Sequence, residues 1–191
     1  MNKTENHIYV IFGASGDLTK RKLVPAIYSL FVQNMLPENF VLLGVSRTEF
    51  SDDEFRSNME SSIKEFNEID DDTKIDEFIK KIFYTSITFD KTDTYKNLKE
   101  KIVELRTKNK ISGNTIFYLS TPPSLYGTIP QHLAAVVLNK QDDGWKRLII
   151  EKPFGYDLQS ALKLKDELLK DWTEEQIFRI DHYLGKETVQ N

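Results

Sequence analysis

Short apolar runs rich in β-branched and aromatic residues recur along this chain, each followed by a stretch whose apolar residues return at helical spacing. That alternation restricts the fold more than any other feature. Ile8-Tyr9-Val10-Ile11-Phe12, Val41-Leu42-Leu43-Gly44-Val45, Phe83 to Thr88, Thr115 to Ser120 and Arg147 to Ile150 are the expected strands. Leu23, Ile27, Leu30 and Phe31 mark a helix, with Pro25 tolerable only near its first turn. Phe55, Met59, Ile63 and Phe66 trace a second; Ile75, Phe78, Ile79 and Ile82 a shorter third; Tyr95, Leu98, Ile102 and Leu105 a fourth. Further helices are expected around Ile129 to Leu138 and through Leu158, Ala161, Leu164 and Leu168. Strands regularly separated by helices predict an α/β domain: a doubly wound, mostly parallel sheet with helices on both faces and right-handed crossovers. In such a sheet ligands collect beyond the carboxyl ends of the strands.

A chain of 191 residues, 39% of them hydrophobic, can bury one sizeable core, and residues 1–191 read as a single domain. A net charge of -4 gives no electrostatic reason to expect nucleic acid or an anionic membrane as partner, so any phosphate must be held locally. Without cysteine there is no disulfide, thiolate zinc site or thiol nucleophile. His7, His132 and His182 are too scattered for a metal cluster, and no metal is expected. Asp70-Asp71-Asp72 reads as a solvated loop favouring the following helix start rather than as a cation site. Met1 to Asn6 is polar, without a charged-then-apolar leader, and no apolar run approaches membrane-spanning length; the expected compartment is the cytoplasm.

The chemically unusual residues fall where the strands end. Gly13-Ala14-Ser15-Gly16-Asp17-Leu18 links the first strand to a helix, and residues without side-chain bulk suit both a tight turn and the approach of a pyrophosphate to backbone amides. The spacing departs from G-x-G-x-x-G, so an ordinary glycine turn is the alternative. After the second strand, where an NAD site would place a carboxylate for the ribose hydroxyl, the chain has Ser46 and Arg47. A guanidinium there can fork onto a 2′-phosphate, with Lys22 as a second cation, which favours NADP; a solvent-facing arginine is the other reading. Lys152-Pro153 closes the fifth strand, and the proline permits a cis bond. Near the end, Asp181-His182-Tyr183-Leu184-Gly185-Lys186 puts His182 and Lys186 on one face if helical, and with Tyr183 they offer several donors to a phosphate dianion.

Together Gly13-Ala14-Ser15-Gly16-Asp17-Leu18, Glu151-Lys152-Pro153-Phe154-Gly155 and Arg179-Ile180-Asp181-His182-Tyr183-Leu184-Gly185-Lys186 resemble the amino-terminal portion of the glucose-6-phosphate dehydrogenase family, in the same order and at similar spacing. The resemblance covers nearly all of the chain. It implies a Rossmann-like fold and, for the whole enzyme, NADP-dependent oxidation of D-glucose 6-phosphate to 6-phospho-D-glucono-1,5-lactone at the entry to the pentose phosphate pathway. By this resemblance Gly13 to Leu18, Lys22 and Arg47 hold the cofactor, Ser120 and Pro122 line its nicotinamide side, and Lys152 lies where cofactor and sugar meet. His182, Tyr183 and Lys186 would contact the sugar phosphate, and Asp181 would orient a general-base histidine.

In the family that histidine lies well downstream, in a second domain that also completes the sugar pocket and forms the dimer. Residues 1–191 are therefore expected to be the NADP-binding domain, ending within the start of the sugar-phosphate site and inactive alone, with a homodimer expected of the full-length enzyme. His182, committed to phosphate, should not be promoted to the base. One rival is a nucleotide-sugar reductase, whose Tyr-x-x-x-Lys pair would discriminate it and is not expected in a mid-chain helix here. Another is a stand-alone, non-catalytic NADP-binding regulatory module.

Overall fold

A computed structural model describes residues 4–67 and 71–181. Its strands are β1 (His7–Phe12), β2 (Phe40–Ser46), β3 (Ile82–Ser86), β4 (Thr115–Leu119), β5 (Lys146–Glu151) and β6 (Ile177–Ile180). All pair in parallel, in the order β3-β2-β1-β4-β5-β6. The helices are α1 (Val24–Val32), α2 (Asp52–Phe66), α3 (Ile75–Ile79), α4 (Thr92–Asn109), α5 (Thr128–Ala135) and α6 (Leu158–Leu168). The chain starts at a central strand, winds outward through β2 and β3, then crosses over to β4 on the other side of β1. That reversal defines a doubly wound sheet.

Strand periodicity explains why the sheet has helices on both faces. Ile8, Val10 and Phe12 of β1 point into one core with Tyr95, Leu98 and Ile102 of α4 and Ile129 and Leu133 of α5. Ile11 points the other way, into a second core with Val24, Ile27 and Tyr28 of α1 and Phe55, Met59 and Ile63 of α2. β2 is buried along its whole length because α2 covers one face and α4 the other. Local signals start two of the helices: Ser51 and Glu54 form a capping box at α2, and Asp157 and Ser160 form one at α6.

Three expectations change. Pro25 occupies an early position of α1, but α1 continues a π-helical turn over Thr19–Leu23, in which the Val24 amide bonds the Thr19 carbonyl. The wider turn precedes a residue that has no amide hydrogen to give, so the proline sits in a long helical segment without breaking it. Ile82, which continues a helical spacing from Ile75, instead opens β3. β6 was not expected, since its four residues carry Arg179 in their midst; pairing with β5 makes it a strand. Of the acidic run, Asp71 accepts hydrogen bonds from the Thr73 amide and hydroxyl, as a turn does, and Asp70 lies outside the described residues.

Candidate functional site

The crevice opens where the strand order reverses, between the carboxyl ends of β1 and β4. Gly13 leaves β1 with φ +82°, and a Cβ there would lie 2.0 Å from the Ser120 carbonyl oxygen. Only glycine allows this approach, which seats the loop after β1 against the end of β4. The Ser120 amide completes the contact by bonding Phe12 O at 2.9 Å. Thr19 adds its hydroxyl, 3.3 Å from Gly13 O and 3.4 Å from Ser120 Oγ.

Within the loop, the expected roles separate. The Gly13 and Ala14 amides both bond Val45 O, at 2.8 and 3.1 Å, and the Gly16 amide bonds Gly13 O at 2.9 Å. Ala14 is fully buried against the second core. These groups shape the turn. Gly16 O accepts from the Lys20 amide at 3.2 Å, which places Asp17 and Leu18 in the first helical turn, where amides lack intrahelical carbonyls. Unlike Gly13, Gly16 has no positive φ, and a Cβ would meet only Gly13 O, at 3.1 Å. Its lack of a side chain leaves room above the helix start rather than relieving backbone strain.

A cavity of about 310 Å³ brings several candidates together: Gly16, Asp17, Leu18, Ser120 and Lys152 all line it. Thr121, also in its wall, has a buried hydroxyl oxygen with no hydrogen-bond partner among the described residues. A larger groove of about 500 Å³ between α5 and α6 shares only Pro123 and Pro153 with this cavity and holds none of the candidates. Pro122 follows Ser120 and leads into a short turn over Pro123–Leu125.

At the end of β5 the Lys152-Pro153 bond is cis. Glu151 pairs with Ile180 across the β5–β6 ladder, so the next residues, Lys152 and Asp181, leave the sheet side by side; Lys152 Nζ lies 2.6 Å from Asp181 Oδ2. His182, Tyr183 and Lys186 lie outside the described residues. Arg47 is exposed just beyond β2. Ser46 beside it is buried, its hydroxyl 2.5 Å from Tyr84 Oη and 3.2 Å from the Thr48 amide it accepts from, so the serine builds the corner that presents the arginine. Lys22 is exposed on the π-helical turn, against a separate groove with Arg21 and Phe66.

Contrary to expectation, the chain does contain a Tyr-x-x-x-Lys spacing, Tyr95 and Lys99 on α4. Tyr95 is fully buried and donates to Phe89 O at 2.9 Å, and Lys99 bonds Val136 O at 2.9 Å. Both residues are engaged in packing α4. The sequence also gave no sign of two tyrosines at Glu151. Tyr118 Oη donates to Glu151 Oε1 at 2.5 Å, and Tyr126 lines the switch-point cavity beside Glu151. Burial, together with the Glu151 charge, pushes the Tyr118 phenol up from its ordinary value, keeping it a donor. Among the described residues no cluster of His, Asp and Glu could hold a metal ion, and no helix is long and apolar enough to cross a membrane.

A doubly wound parallel sheet with a glycine turn, a helix start and an open crevice at its switch point defines a Rossmann-like dinucleotide-binding domain. The family model for "Glucose-6-phosphate dehydrogenase, NAD binding domain" matches residues 10–191, and the chain belongs to that family. It is 50% identical to the glucose-6-phosphate 1-dehydrogenase of Aggregatibacter actinomycetemcomitans, over 99% of this chain and 38% of that protein. With the Treponema pallidum enzyme of the same name the identity is 46%, over 97% of this chain and 36% of the other. A solved glucose-6-phosphate dehydrogenase in complex with its substrate glucose-6-phosphate superposes with TM-score 0.87 and 36% identity, covering all of this chain and 39% of that one. The Mycobacterium avium glucose-6-phosphate 1-dehydrogenase superposes with TM-score 0.82 and 32% identity, over 97% of this chain and 38% of that one. The chain thus spans about two-fifths of the length of these relatives.

Proposed function

We propose that this chain is the NADP-binding part of an enzyme that oxidises D-glucose 6-phosphate to 6-phospho-D-glucono-1,5-lactone. The observation that carries the reading is the convergence of the β1 glycine turn, Ser120 and the Lys152–Asp181 pair around the switch-point crevice. The bare Gly16 in the cavity wall, the first-turn amides of Asp17 and Leu18, and the Thr121 hydroxyl, which has no partner among the described residues, suit a dinucleotide laid from the helix start toward Lys152. Arg47, exposed where the ribose of the adenosine half would lie, favours a 2′-phosphate and hence NADP over NAD. When bound, NADP supplies a nicotinamide ring that accepts hydride from C1 of the sugar.

The chain's own residues then act on either side of that transfer. Asp17 and Leu18 amides hold pyrophosphate, and Ser120 and Pro122 bound the nicotinamide side. Lys152 donates to the sugar at the junction with the cofactor, and His182, Tyr183 and Lys186 receive its phosphate. Asp181 orients an imidazole supplied by a further part of the enzyme, which takes the C1 hydroxyl proton as the C1 hydrogen leaves with its electron pair. Catalysis, the remaining sugar pocket and assembly as a homodimer belong to that longer, cytoplasmic protein. The test is NADPH absorbance with glucose 6-phosphate, comparing the full-length protein with residues 1–191. The full-length protein should turn over and the short chain should bind NADP without doing so. Sugar-dependent NADPH production by residues 1–191 would overturn the assignment of the base, and its absence from the full-length protein would overturn the function.

A further inference from the structure

The Lys152 ammonium is useful only if it is aimed, and the strand end that carries it is gripped through the residue before it. Glu151, immediately before it, is a buried carboxylate. On one face of the sheet Tyr118 donates to that carboxylate, and Tyr118 is itself backed by Tyr9, whose ring stacks at 6.0 Å. Toward the other face Tyr126, part of the first core, lines the cavity beside Glu151. The β4–β5 ladder has already ended at Tyr118 and Ile149, so strand pairing with β4 no longer fixes Glu151 on this side. Glu151 and Tyr126 both line the switch-point cavity beside Lys152.

From this geometry we infer that Tyr118 is a positioning residue for the reaction: by clamping the side chain of Glu151, it sets where Lys152 leaves β5 and holds it against Asp181. A carboxylate taken out of water needs a donor, and a buried phenol supplies one that does not titrate away over the working range. The clamp couples β4, whose next residue Ser120 packs on the cofactor loop, to the lysine of the sugar side. It rests on the functional reading above for its purpose but not for its structure.

The experiment uses the full-length protein, its Tyr118→Phe variant, and Glu151→Gln beside Glu151→Leu. The phenylalanine removes one oxygen and keeps the ring. Acetic anhydride labelling followed by peptide mass spectrometry reads the reactivity of Lys152, with Lys163 on α6 as the reference. Losing the clamp bond should raise Lys152 acetylation by about threefold or more while Lys163 is unchanged. Glu151→Gln, which keeps an oxygen for Tyr118, should stay within about twofold of the parent, and Glu151→Leu should behave like Tyr118→Phe. In steady state, KM for glucose 6-phosphate should rise about five- to tenfold in Tyr118→Phe, with the NADP Kd changed less than about twofold. Unaltered Lys152 reactivity, or a rise shared by Lys163, would overturn the inference, the second meaning general loosening. A parent protein that makes no NADPH would sink the functional reading, while the labelling would still decide the clamp.

Discussion

Lys152 Nζ stands 2.6 Å from Asp181 Oδ2, joining the residue that follows β5 to the residue that follows β6. The lysine side chain is 55% exposed, so the pair contributes at most about 1 kcal/mol to stability, and its significance is in the site. In the proposed reaction Lys152 serves the sugar and Asp181 a histidine, and the two face each other across the open end of the sheet. On that proposal, substrate hydroxyls and the imidazole would share or replace this contact.

Replacing Lys152 with Met, or Asp181 with Asn, should leave the melting temperature of the full-length protein within a few degrees and lower its sugar-phosphate turnover by roughly 10²-fold or more. Dinucleotide affinity should barely change. Thermal denaturation and steady-state kinetics on the same preparations check this, and a melting-temperature loss matching the activity loss would make the pair structural.

Arg47 should decide cofactor choice. Arg47→Ala removes a charge-assisted contact to the 2′-phosphate and is expected to weaken NADP binding by roughly 1.5 to 3 kcal/mol while NAD binding changes little. Calorimetric titration with both dinucleotides is the measurement. Equal losses would show that the arginine is a solvated surface residue.

The two loop glycines should fail in different ways. Gly13→Ala forces a side chain into φ +82° and onto the Ser120 carbonyl, and should destabilise the domain by ~2 kcal/mol or more. Gly16→Val meets no positive φ and only the Gly13 carbonyl, 3.1 Å from the added Cβ, so it should fold with less loss than Gly13→Ala but lose dinucleotide binding. Urea unfolding read beside NADP titration separates the cases, and normal binding by Gly16→Val would mean that the loop does not carry the pyrophosphate.

His7 makes stability depend on pH. Its imidazole is buried, Nδ1 donating to Glu5 O at 2.8 Å, and burial holds it below the ordinary histidine value of 6.5 against the opposing effect of that carbonyl. The unfolded chain takes up a proton that the folded chain refuses, so this contribution is fully present above pH 6.5 and is lost as pH falls below it. The expected slope is at most about 1.4 kcal/mol per pH unit. Unfolding curves between about pH 7 and 5 should show it in the parent and not in His7→Phe.

Local pattern was enough for most of the architecture. The continuous apolar run of β1, helical periodicity in α2 and α4, and the glycine after Phe12 all follow from nearest-neighbour stereochemistry, which sequence displays directly. It also marked the strand ends at Ser120 and Lys152, because polar residues abruptly follow apolar runs there. What it could not display was anything set by register. Ile177–Ile180 is a strand because β5 offers it a ladder, and Ile82 leaves the helical pattern because β2 does the same. The spacing of Tyr95 and Lys99 imitates a catalytic pair, and only their burial and bonding in the packing of α4 show otherwise.

The division has one physical cause. Backbone conformation is governed by residues a few positions apart, so the sequence by itself determined the order of the first five strands and their helices, the turn at Gly13 and the absence of thiol chemistry. Side-chain hydrogen bonds between strands depend on which residues the folded sheet places opposite one another. Tertiary structure alone therefore decided that Asp181 would face Lys152, that Tyr118 would close on Glu151, and that Gly16 would line the switch-point cavity.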